Sequence, residues 1–214
     1  TPFVHSFCVF LSRRALDQVA MQCAYPATNV KLVGFLPGLT TLLGISHQAI
    51  DDIAIMRALP NMTVLEPCGA AQIAACVNAA AELHGPVYLR MHRPATALPI
   101  DVGLQDCTIG KGNVLREGGD AVVIACGHMV DIAIEAANNL ASQNIQVSVV
   151  NMHSIKPLDT ELVIAQAKKT GCVITAENHS ILGGLGSAVA ETLLEAGVST
   201  KFFRVGIKDT FAEG

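Results

Sequence analysis

Apolar residues follow two rhythms along the chain, and the rhythms alternate. Residues 30–35, 63–65, 86–91, 121–126, 147–151, 172–177 and 201–205 are short, mostly apolar blocks bounded by turn residues. Such blocks predict strands buried on both faces. Between them, residues 11–23, 69–83, 128–143, 159–170 and 187–196 place apolar side chains three and four apart, which predicts helices. In the first of these the stripe is Leu11, Ala15, Leu16, Val19, Ala20 and Cys23, and Tyr25-Pro26 stops it. Residues 2–10 read as a strand entering a loop. Strand and helix in strict alternation predict an α/β fold: two doubly wound domains with largely parallel sheets.

The pattern lapses once. Residues 94–107 contain Pro94, Pro99 and Gly103 with no sustained period. The boundaries this sets are a first domain over 1–94, a linker over 95–108 and a second domain over 109–214, each domain about a hundred residues. Of 214 residues, 51% are hydrophobic and 15% charged, enough for a sizeable core in each half. A formal net charge of −4 without a basic stripe argues against nucleic acid as a partner. Neither a membrane-spanning apolar run nor the layout of a signal peptide is evident, so a cytoplasmic protein without a membrane partner is expected. The seven cysteines form no C-x-x-C pair and are expected as buried free thiols.

Candidate chemistry gathers in residues 44–61. Gly44-Ile45-Ser46-His47-Gln48 leads into a short amphipathic helix, and Pro60-Asn61 ends it. Helix N-termini carry unpaired N–H groups that receive anions and polar ligands. On physics alone a cap or packing residue is the favoured reading of His47 over a catalyst, and ordinary core that of Phe7 and Phe10. Gly183-Gly184-Leu185-Gly186 lacks the full spacing of a phosphate cradle. His153 and His179 have no third ligand at sensible spacing, so no metal site is expected and both are read as structural.

The spelling of these segments carries more. The run Gly44-Ile45-Ser46-His47-Gln48, a helix and Leu59-Pro60-Asn61 resemble the G-x-[ST]-H-Q loop, helix and L-P-N of the transketolase family. Phe7-Cys8-Val9-Phe10 followed by Arg14-Ala15-Leu16-Asp17-Gln18 resembles that family's F-x-x-F and R-A-x-[DE]-Q. Residues 149–159 and 176–187 resemble its C-terminal domain. The resemblance covers nearly all of residues 3–213. It implies a pyrimidine-binding domain, expected to be incomplete at its N-terminus with the family's activating Glu upstream of Thr1, followed by the transketolase C-terminal domain. Gly118-Gly119-Asp120 lacks the downstream Asn of the family's metal motif. The chain therefore resembles the small subunit of a split enzyme, whose partner is an N-terminal subunit holding the diphosphate of thiamine diphosphate and its Mg²⁺, in a homodimer or an α2β2 heterotetramer.

The implied reaction moves a two-carbon ketol unit between sugar phosphates. By the same resemblance Phe7 and Phe10 pack on the cofactor, His47 is the catalytic and substrate-binding residue, and Arg93 grips a substrate phosphate, with Arg90 able to trade roles. Two positions depart from the family: Leu36 replaces a His and Leu43 an Asp that holds a donor hydroxyl. Altered donor recognition is the expectation. A β-type subunit of a 2-oxo acid dehydrogenase, a deoxyxylulose-phosphate synthase-like enzyme, or a non-catalytic subunit that stabilises its partner are the alternatives.

Overall fold

The computed structural model describes residues 1–92 and 106–212; most of the expected linker lies outside them. In the first half, β1 (Phe3–Phe7) runs into a helical stretch: a π-helical turn (Phe10–Arg14), α1 (Leu16–Gln18) and a second π-helical segment (Val19–Ala24). Then come β2 (Lys31–Phe35), a 3₁₀ turn (Gly38–Thr40), α2 (Asp52–Ala58), β3 (Thr63–Leu65), α3 (Gly69–Glu82) and β4 (Val87–Met91). The second half contains β5 (Asn113–Arg116), β6 (Ala121–Ala125), α4 (Met129–Ala141), β7 (Val147–Asn151), β8 (Ser154–Lys156), α5 (Thr160–Thr170), β9 (Cys172–Ser180), α6 (Leu185–Glu195) and β10 (Lys201–Ile207).

Two five-stranded sheets result, ordered β1-β2-β4-β3-β8 and β10-β9-β6-β7-β5. In each, four strands are parallel and one edge strand is antiparallel. Every residue of β4 and β7 is buried, as strands covered by helices on both faces require. Local chemistry fixes the boundaries: Asp159 caps α5 by accepting the Leu162 amide at 3.2 Å, and Gly171 ends the helix in the left-handed conformation.

Three features depart from the sequence reading. The first helix carries π-helical segments, because Ala15 and Tyr25 donate their amides five residues back, to Phe10 and Ala20. The three-residue β8 belongs to the second half yet pairs with β3 and completes the first sheet. Lys156 at its end caps α2, giving hydrogen bonds to the carbonyls of Arg57 and Leu59 at 2.9 and 2.5 Å. Finally, Cys76 and Cys107 are joined as a disulfide, so the expectation of free thiols holds among the described residues only for Cys8, Cys23, Cys68, Cys126 and Cys172. No helix among the described residues is long and apolar enough to cross a membrane.

Candidate cofactor and substrate site

Phe7 closes β1, Phe10 opens the π-helical turn, and His47 lies in the loop ahead of α2. Their rings form a triangle, with centroids 5.4 Å apart for Phe7–Phe10, 5.1 Å for Phe7–His47 and 5.2 Å for Phe10–His47. The edge-on and tilted geometries are those that aromatic quadrupoles favour. Two side groups hold the triangle. The Arg14 guanidinium lies over the Phe10 ring, 4.1 Å from its centroid. Arg13 Nε reaches both Asp51 oxygens, at 3.1 and 2.9 Å, which ties the π-helical turn to the start of α2.

Beside the triangle, at the carboxyl ends of β1 and β2, lies a cavity of about 290 Å³ lined by His5, Ser6, Phe7, Phe35 and Leu36. Open parallel sheets receive ligands at this edge. Leu36 has φ 55°, a left-handed backbone that costs a residue with a Cβ about 1 kcal/mol or more. The loop beyond it is pinned from both domains. The Gly38 amide donates to the Ala49 carbonyl at 2.8 Å and the Leu39 amide to Asn178 Oδ1 at 3.0 Å. Gly38 has positive φ and a Cβ there would strike Asn178, so both backbone and space require glycine. The same stretch carries exposed apolar side chains, Phe35, Leu39, Leu42, Leu43 and Ile45, with Leu42 97% exposed. His47 Nδ1 lies 2.9 Å from Ser46 Oγ; its Nε2 has no protein partner among the described residues.

Of the residues singled out in the sequence, Phe7, Phe10 and His47 therefore converge, while Arg93 lies outside the described residues. Leu36 lines the cavity and Leu43 is exposed in the loop ahead of α2. Arg90 requires a correction: it is fully buried and cannot trade roles with a substrate-binding arginine. Its Nε and Nη2 bond Asp52 at 2.8 and 3.1 Å, Nη1 bonds Glu66 at 2.6 Å, and Nη2 also reaches the carbonyls of Ala49 and Asn178 at 3.2 and 3.0 Å. Tyr88 adds a hydrogen bond to Asp52 at 2.6 Å, and His92 Nε2 lies 2.5 Å from Glu66.

Sequence reasoning missed Asp52, Glu66 and Tyr88. The available signal was opposite charges embedded in apolar segments, Arg90 within β4 above all. Burial alone raises the Asp52 and Glu66 carboxyls, but the Arg90 charge and hydrogen bonds more than offset it and hold both below the ordinary range. Nearby, Glu177 accepts the amides of Leu185 and Gly186 at 2.7 and 2.9 Å, yet burial lifts its pKa to about 7. His179 is kept neutral by burial; its Nδ1 faces the Ser180 carbonyl at 2.7 Å and its Nε2 faces the Ala54 amide at 3.4 Å. Arg90, Asp52 and Tyr88 are thus occupied with buried partners, whereas the triangle borders a cavity.

An aromatic cleft at the edge of one parallel sheet, braced by a second α/β unit, defines the pyrimidine-binding and C-terminal domains of a transketolase-type protein. The sequence matches "Transketolase, pyrimidine binding domain" over residues 1–99 and "Transketolase, C-terminal domain" over 110–214. The chain belongs to the transketolase family.

It is similar to the 6-deoxy-6-sulfo-D-fructose transketolase subunit SqwH of Clostridium sp. (strain MSTE9), 47% identical over 99% of this chain and 66% of that protein. It is 38% identical to a subunit of the apulose-4-phosphate transketolase of Phocaeicola vulgatus, over 97% of this chain and 66% of that protein. It is 36% identical to 1-deoxy-D-xylulose-5-phosphate synthase 1 of Geobacter sulfurreducens, over 99% of this chain but 33% of that protein. A solved structure described as "Split gene transketolase, inactive beta4 tetramer" superposes with a TM-score of 0.92 at 44% identity, over 100% of this chain and 68% of that one. The chain thus spans slightly less than two thirds of the length of the transketolase subunits it matches.

Proposed function

We propose that this chain is the C-terminal subunit of a split, thiamine diphosphate-dependent transferase that moves a two-carbon ketol unit between sugar phosphates. The partner is an N-terminal subunit with the diphosphate and Mg²⁺ site, in an α2β2 assembly in the cytoplasm. The observation that carries this reading is the Phe7–Phe10–His47 triangle beside a cavity of about 290 Å³. That volume lies at the small end for a ligand site, which suits a chain holding one ring of a cofactor whose remainder rests on a partner. The exposed apolar side chains Leu39, Leu42, Leu43 and Ile45 support such a partner, since clustered exposed apolar surface marks association sites. The solved relative described as an inactive tetramer of β subunits supports a chain that needs another subunit for activity.

In this reading Phe7 and Phe10 pack on the aminopyrimidine and exclude water from it. His47 Nε2 holds a donor or acceptor toward substrate, with Ser46 on Nδ1 orienting the ring. Arg93 supplies a planar fork for the substrate phosphate. When bound, the cofactor supplies the carbon nucleophile and electron sink. Leu36 and Leu43 remove a proton carrier and a hydroxyl partner, which shifts donor choice away from ordinary ketose phosphates.

The test is co-expression with the N-terminal subunit, followed by thiamine-dependent turnover of a ketose phosphate and, separately, of pyruvate. Ketose turnover supports the proposal. Turnover of pyruvate alone favours the synthase-like alternative, as the synthase relative does. Cofactor binding without turnover of either makes the chain a stabilising subunit.

A further inference from the structure

Three distant segments meet at Cys76, Cys107 and His153. Cys76 is on the buried face of α3, Cys107 precedes β5, and His153 joins β7 to β8. Their ligand atoms all lie within 4.8 Å of one another. His153 is 1% exposed. Its Nε2 faces the Thr108 carbonyl at 3.3 Å and so carries the proton, which leaves Nδ1 as a buried lone pair with no hydrogen-bond partner among the described residues. An unsatisfied buried polar atom is destabilising, so a group that uses this one stabilises the fold.

We propose that, once the Cys76–Cys107 disulfide is reduced, Cys76, Cys107 and His153 bind one Zn²⁺, with a fourth position left to an outside ligand. The chemistry balances. A thiol reductant delivers two electrons and two protons to the S–S bond and leaves as its own disulfide; Zn²⁺ then displaces both thiol protons and takes Nδ1 as its third ligand. Two thiolates cancel the ion's charge, so the complex sits at the apolar cluster that contains Cys76, against which Ile73, Val77, Leu83 and Ile109 pack, without burying net charge. Thiolate and imidazole ligands select Zn²⁺ over the hard Mg²⁺. The Thr108 carbonyl on Nε2 is the outer partner that fixes a ligating histidine's tautomer. Zinc or disulfide, either bond ties α3 of the first domain to the opening of the second.

The experiment uses the full chain, reduced with a phosphine and dialysed against Zn²⁺. Expected results are one zinc per chain, and with Co²⁺ an intense sulfur-to-cobalt charge-transfer band. His153→Ala and Cys107→Ser should weaken zinc binding by more than about 100-fold, beyond what loss of an outer partner costs, while Cys172→Ser leaves it unchanged. In the unaltered chain zinc should also protect Cys76 and Cys107 from alkylation, a readout that survives any variant's failure to fold. Absence of retained zinc, or equal alkylation of the two thiols with and without zinc, overturns the proposal.

Discussion

Replacing Arg90 by methionine tests the buried network most directly. The side chain is wholly enclosed, as are Asp52 and Glu66. Methionine keeps much of the volume and removes five hydrogen bonds and the only cation that the two carboxylates share at bonding distance among the described residues. Breaking one side of a buried ion pair costs about 3–5 kcal/mol because it strands the other. For a chain of this length each kcal/mol lowers Tm by about 2–4 °C, so a fall of about 6–20 °C is expected. Urea unfolding at pH 7 measures the loss.

The double variant Arg90→Met with Glu66→Gln separates charge from packing. With one stranded carboxylate gone, it should be more stable than Arg90→Met alone, a non-additivity that a cavity cannot produce. The pH response follows the same logic. Asp52 and Glu66 are held low in the fold, so their stabilisation is complete above the unfolded carboxylate pKa and is lost as pH falls toward their folded values. Arg90→Met should flatten that acid limb. A loss below about 1 kcal/mol, the scale of an exposed pair, would refute the reasoning.

Glu177 has the opposite sign. Its folded pKa of about 7 exceeds its unfolded value, so its contribution is greatest at acid pH and falls as pH rises to about 7; Glu177→Gln should abolish that slope in unfolding titrations. Phe7→Ala should raise the half-saturating thiamine diphosphate concentration of the complex about tenfold or less, since an aromatic contact contributes about 0.5–1.5 kcal/mol beyond burial; an unchanged value would remove Phe7 from the cofactor site. Leu43 is 53% exposed, so Leu43→Asp should alter stability by no more than about 0.5 kcal/mol and raise activity on ordinary ketose phosphates. No gain in a stable complex would count against the altered-donor account.

The strands were legible where burial is two-sided. Residues 86–91 read as a strand because Val87, Tyr88, Leu89 and Met91 fill both faces of the sheet, and β4 is buried throughout. Ser154-Ile155-Lys156 has one apolar residue between two polar ones and its partner is remote, so β8 was invisible, whereas the equally short β3 keeps two apolar residues. The π-helical segments were invisible too, because each spans only about one turn, too short to reveal a changed period. Phe7, Phe10 and His47 emerged from family spelling; periodicity assigns two of them to the core. The Arg90 network and the Cys76–Cys107 bond depend on contacts across dozens of residues, which no local window contains.

The strand β8 has a consequence for how the chain is made. β3 ends at Leu65, and the strand that covers its outer edge begins only at Ser154. During synthesis the first sheet therefore waits, one edge open to water, until Ser154–Lys156 has left the ribosome. Lys156, which caps α2, emerges at the same moment. Closing so long a loop adds little entropy cost over a shorter one, but it delays the closure. The first domain is thus a nascent intermediate with an unpaired edge, and the second acts on it as a folding partner delivered in cis.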